Sequence, residues 1–129
     1  MQNMSGGKSA LGLDANVAAL LAYIPFCFIG LIISIIIIVQ DKTNKLARFH
    51  AFQSLLLHAV GIVLYVVVMF VYGAAAAANS GMLMMVGFLL WILVLLGLLA
   101  AIVFCCIKAF QGQIFKLPVI GNLADGWSN

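Results

Sequence analysis

The chain has very little charge. Of its 129 residues only 7% are Asp, Glu, Lys or Arg, against roughly 25% in an ordinary soluble domain. Glutamate is absent, and the acids are Asp14, Asp41 and Asp125. A soluble domain of this length needs a polar surface, because small folds have much surface for their volume. Six basic and three acidic side chains cannot cover one. The three aspartates also fall in separate segments, which leaves no carboxylate pair for acid–base catalysis. A net charge of +3, so scattered, excludes nucleic acid as a partner.

Cysteine is sparse too. Cys27, Cys105 and Cys106 form no C-x-x-C, which leaves a zinc or redox motif unsupported. They read as small apolar helix residues; palmitoylation of Cys105 or Cys106 near the cytoplasmic face is the alternative. No phosphate loop, H-E-x-x-H or G-x-S-x-G occurs. Ser54 precedes His58 by one helical turn, but no third, orienting acid is near in sequence. The chain reads as non-enzymatic. A cleavable signal peptide is not expected: the first apolar run is too long and no A-x-A site follows it.

What is present is apolar: 67% of residues are hydrophobic. Residues 1–13, rich in Ser, Gly, Asn and Gln, read as a flexible tail, and Asp14 can cap the helix after it. The length allows one domain, placed at residues 14–124, with 125–129 as a C-terminal tail. Residues 17–39 carry no charge and as a helix cover roughly 35 Å, enough to span a bilayer. Pro25 predicts a kink in it. Its isoleucine-rich inner half would suggest a strand in water, but in lipid a helix satisfies its own backbone. A polar loop at 40–48 leads to span two, 49–78, with a weakly hydrophobic alanine-rich end. Asn79, Ser80 and Gly81 predict a turn before span three, 83–107. The segment that follows suits a piece lying along the headgroups. The predicted fold is all-α, an integral membrane bundle of three transmembrane helices.

Three spans place Lys42, Lys45, Arg48, Lys108 and Lys116 on one side and Lys8 on the other. The positive-inside rule then makes the C-terminus cytoplasmic and the N-terminus external, with the five bases as topology and headgroup anchors. Small residues four apart (Ala18/Ala22, Gly30/Ser34, Gly73/Ala77, Gly97/Ala101) suit close helix approach.

Span two carries the one polar pattern. On a helical wheel His50, Ser54, His58, Gly61 and Tyr65 share one sector, with Tyr72 further along it. Polar groups in lipid are costly, so this stripe should face another helix or a wet cavity. The bland reading is hydrogen-bonded helix packing. The sharper one is a haem or chlorophyll held by His58. His50 and His58 lie about 12 Å apart on one helix and cannot share a metal within one chain.

Four stretches belong together: Ala19-Leu-Leu-Ala-Tyr-Ile-Pro25, Arg48-Phe-His-Ala-Phe-Gln-Ser-Leu-Leu-Leu57, Lys108-Ala-Phe-Gln-Gly112 and Phe115-Lys-Leu-Pro-Val-Ile-Gly-Asn-Leu-Ala124. Over residues 14–124 the chain resembles the Tic-twenty-like family of small membrane proteins, and is closest to its shorter prokaryotic members. The resemblance implies a helical bundle and, from the chloroplast member, a component of a polypeptide-translocation complex; it implies no catalytic residues. The expected role is a subunit or assembly partner of a larger membrane complex, or a homo-oligomer, in a prokaryotic inner membrane. Protein transport and a pigment-binding subunit are the alternatives.

Overall fold

The computed structural model describes residues 7–24 and 28–129. Five α-helices follow one another: α1 (Ala15–Leu21), α2 (Ile29–Gln40), α3 (Lys45–Ala77), α4 (Gly81–Phe110) and α5 (Ile120–Ser128). The chain divides into two units, Met1–His58 with Ile102–Asn129, and Ala59–Ala101.

In the first unit the helix expected over 17–39 is two short helices of 7 and 12 residues. They fold back on each other. Ser34 Oγ of α2 donates to the carbonyl of Ala22, just past α1 (3.3 Å). At the other end the Ala10 N–H donates to Asp41 Oδ2 (2.9 Å). A continuous helix would hold Ala10 and Asp41 roughly 45 Å apart. Pro25 and Cys27 lie outside the described residues. The break still has a local cause in sequence, since proline disfavours helical backbone in the residue before it. Gly30 then permits the close return: a Cβ there would collide with the carbonyls of Ile24 and Ala22. Ala18, Ala22, Ile37, Ala47 and Ala51 form the core of this unit. Small side chains bring the helices close enough for carbonyl contacts. Ile32, Ile35 and Val39 lie on the exposed face of α2.

Residues 7–13, expected to be flexible, make a turn of their own, with Ser9 N–H bonded to Leu13 O and buried. Asp14 takes the N-cap position of α1 but its side chain makes no cap bond. Asp41 is the organising acid instead. Its Oδ1 accepts from Thr43 and Asn44 N–H, and Asn44 Oδ1 caps α3 through Ala47 N–H (3.2 Å). The cap starts α3 at Lys45, four residues before the expected Phe49.

In the second unit the turn falls where expected. Asn79 is left-handed (φ 48°) and Ser80 N–H reaches back to Ala75 O, closing α3. Ser80 Oγ then accepts from Leu83 N–H to open α4. Gly87 faces the Tyr72 ring and Gly61 the Leu98 side chain, whereas Gly73 and Gly97 face open space. Those two mark no close contact within the chain itself.

Among the described residues two helices, α3 and α4, are long and apolar enough to cross a membrane, and α2 is a shorter apolar helix. The all-α class stands, and the two long apolar helices fit a membrane. A single helix over 17–39 is not found, because the chain turns back within that stretch.

Candidate functional site

At the start of α3 the first unit holds a buried polar cluster. His50 is fully buried. Its Nε2 lies 3.0 Å from the carbonyl of Gln113, which can only accept, so Nε2 carries the proton. Nδ1 then accepts from the Tyr23 hydroxyl (2.9 Å). That hydroxyl accepts in turn from Gln53 Nε2 (3.0 Å). Gln53 also donates to Phe115 O (3.0 Å) and contacts Cys105 Sγ (3.5 Å), and its Oε1 accepts from Leu117 N–H (3.1 Å). Ser54 Oγ donates to Ala22 O (2.5 Å). No buried side-chain N or O among the described residues lacks a partner.

The cluster therefore joins four pieces: the end of α1, the first turns of α3, the end of α4, and the 113–117 segment. That segment begins at a left-handed Gly112, where Gln113 N–H reaches back to Lys108 O. Glycine takes this conformation without the Cβ clash. The chain then runs across the cluster, presenting two carbonyls and one N–H to His50 and Gln53. These are neutral, saturated hydrogen bonds, and they position segments; no nucleophile is aimed at an open space here.

The stripe residues are placed differently from one another. His50 and Ser54 are inside the cluster. His58 is half-buried, with Nδ1 donating to its own helix at Ser54 O (2.8 Å). Gly61 and Tyr65 belong to the second unit, and Tyr65 is exposed. The wheel sector missed Gln53, which lies on the other side of His50 from Ser54. The signal was present: His50, Gln53, Ser54 and Leu57 follow the i, i+3, i+4, i+7 spacing of a buried face. Tyr23, Cys105 and the loop carbonyls had no such signal, because only the fold-back and the loop path bring them in.

The basic residues are also engaged. Arg48 donates from Nη1 to Asp41 O (2.6 Å) and Ile38 O (3.3 Å), from Nε to Ser128 O (3.3 Å), and from Nη2 to Trp127 O (3.4 Å). It clips the C-terminal ends of α2 and α5, where orphan carbonyls and the helix dipoles favour a cation. It was expected as a headgroup anchor, and its guanidinium is bonded to protein carbonyls. Lys45 and Lys116 bracket Asp125 at 3.5 and 2.8 Å. The hydrogen bond from Lys116 holds the Asp125 carboxyl below the ordinary carboxylate range, and the charges of Lys116 and Lys45 add to this. Lys108 bonds Gln113 Oε1 (3.1 Å) and Lys42 is exposed, reaching Ile38 O at 3.5 Å.

The chain is similar to a UPF0132 membrane protein of Methanocaldococcus jannaschii, 36% identical, covering 95% of this chain and 96% of the relative. A UPF0132 membrane protein of Archaeoglobus fulgidus is 31% identical, covering 88% and 94%. No solved structure matches. These findings overturn the likeness to the Tic-twenty-like family. The motifs that suggested it lie within residues 13–124, and the model that matches those residues is that of a different family. Small membrane helices share composition, so short motifs in them discriminate families poorly. By that match the chain belongs to the magnetosome magnetite crystal formation protein family, MamF and MmsF.

Proposed function

We propose that this chain is a non-enzymatic integral membrane subunit that acts by assembling with other membrane helices, either larger subunits or copies of itself. The carrying observation is the second unit. There α3 and α4 leave large apolar side chains such as Val63, Phe70, Met85, Phe88, Leu93 and Leu96 exposed. An exposed apolar surface this extensive calls for lipid or another helix. An open apolar cleft of about 510 Å³ runs along α3, with Tyr65, Met69 and Phe70 beside Gly73, Ala74 and Ala77, and small residues of this kind let a second helix approach closely. The similarity to proteins named as membrane proteins supports this reading.

The fold-back supports a topology different from three spans with an external N-terminus. The α1–α2 hairpin enters and leaves by one face, so α3 and α4 are the crossing helices. The segment bearing Lys8 then lies beside Asp41, on the side of Lys42, Lys45, Arg48, Lys108 and Lys116. All six bases share one side, and the positive-inside rule makes it cytoplasmic, in a prokaryotic plasma membrane.

Native mass spectrometry from mild detergent tests the assembly: oligomers or copurified subunits are expected, and a lone monomer from native membranes refutes it. For the topology, a cysteine at Gln2 in a cysteine-free background and a reporter after Asn129 should both read as cytoplasmic. Labelling of the Gln2 position from outside refutes the hairpin.

A further inference from the structure

The short α5 has three distinct faces. Gly121, Ala124 and Ser128 are buried against the unit, and a Cβ at Gly121 would collide with the Lys116 backbone. Asp125 points to Lys45 and Lys116. On a third face Leu123 and Trp127, four apart, are exposed (45% and 50%), and Val119 at the N-cap position is exposed as well (74%). Helical spacing aligns Leu123 with Trp127 in one apolar ridge, and Val119 stands at its N-terminal end.

The depth of this ridge is fixed by α3. Trp127 packs edge-on against Phe52, with ring centroids 5.9 Å apart. Arg48 holds the Trp127 and Ser128 carbonyls, and Lys45 meets Asp125. All of these contacts fall on the first two turns of α3, where the bases end and the long apolar stretch begins. That is the headgroup level of a membrane helix, where tryptophan and lysine collect. The charge beside the ridge is positive: Lys45 and Lys116 flank the single carboxylate of Asp125, and Lys42 stands exposed in the loop that leads into α3.

We infer that α5 is an interfacial anchor whose Val119–Leu123–Trp127 ridge sinks into the headgroup–acyl boundary of an anionic leaflet, with Lys42, Lys45 and Lys116 facing its phosphates. An amphipathic helix of this kind binds by buried apolar area together with attraction to anionic lipid. This rests on the membrane reading above, and the test separates the two.

The chain has two tryptophans, so Trp91→Phe isolates Trp127 and Trp127→Phe isolates Trp91. Each full-length variant is reconstituted in phosphatidylcholine vesicles with and without phosphatidylglycerol. Lipid brominated near its headgroup end should remove about half of the Trp127 emission, as expected for a ring at the boundary. Aqueous acrylamide should have little effect. Lys42→Gln should lower the protein's preference for spin-labelled phosphatidylglycerol over phosphatidylcholine by about fivefold. Trp127 open to acrylamide overturns the proposal. So does Trp127 shielded from both quenchers, which would mean a protein partner on the ridge, and so does indifference to phosphatidylglycerol. Trp91 quenched by lipid brominated near the chain ends, in the same vesicles, keeps the spanning reading intact when α5 fails.

Discussion

Replacing Gln53 by Leu tests the buried cluster most directly. The side-chain volume is nearly kept, so the change is mainly one of hydrogen bonding. Leu117 N–H and Phe115 C=O lose their partner, while the Tyr23 hydroxyl keeps His50. A stranded buried group costs about 1–3 kcal/mol. Hydrogen bonds between membrane helices average only about 0.6 kcal/mol, because the separated helices also find partners in lipid. Phe115 and Leu117 follow α4 and rejoin water when the segment detaches, so the larger figure applies. Two such groups give about 2–6 kcal/mol, confined to the docking of the 113–117 segment. The assay is amide hydrogen exchange in nanodiscs. Protection at Leu117 should fall by about 30- to 25,000-fold, while amides of the Ala59–Ala101 unit stay as in the wild type. Gln53→Glu should do no better, because it keeps an acceptor for Leu117 but turns a carboxylate oxygen towards the Phe115 carbonyl. Unchanged protection at Leu117 in Gln53→Leu would refute the role given to this residue.

Other outcomes follow from particular contacts. Gly30→Ala should destabilise by about 1–3 kcal/mol in a detergent melt, because its Cβ meets backbone that must shift. Gly97→Ala, which faces open space, should be neutral or stabilising by up to about 1 kcal/mol; equal effects would argue against the close α1–α2 return. Arg48→Lys keeps the charge but loses the fork, so α5 should loosen and Trp127 emission shift while topology holds; a headgroup anchor would tolerate the change. The Asp125 carboxyl, held below its ordinary value near 3.8, contributes stability that is full above that value and is lost as pH falls through and below it. Trp127 emission in Trp91→Phe should therefore respond between about pH 5 and 2, weakly because the pair is exposed, and Asp125→Asn should abolish the response.

The sequence by itself determined what depends on single segments. A chain with 7% charge and long apolar stretches must be helical in lipid, since only a helix satisfies its backbone there without neighbours. The Asn79–Ser80–Gly81 turn was legible because its residues act locally, by a left-handed cap and a hydroxyl N-cap. Buried His50 and Ser54 were legible as a sector of one helix. The first apolar run was not, because its length and composition fit a straight span and a hairpin equally well. Tertiary structure decided between them through contacts between separate segments: Asp41 against Ala10, and Ser34 and Ser54 on the Ala22 carbonyl. The same fold-back placed Tyr23 beside His50 and Gln53. Arg48 meets protein carbonyls because α2 and α5 end beside it. Hydropathy reports how much apolar surface a segment carries; which carbonyls remain free, and what reaches them, is settled by the path of the rest of the chain.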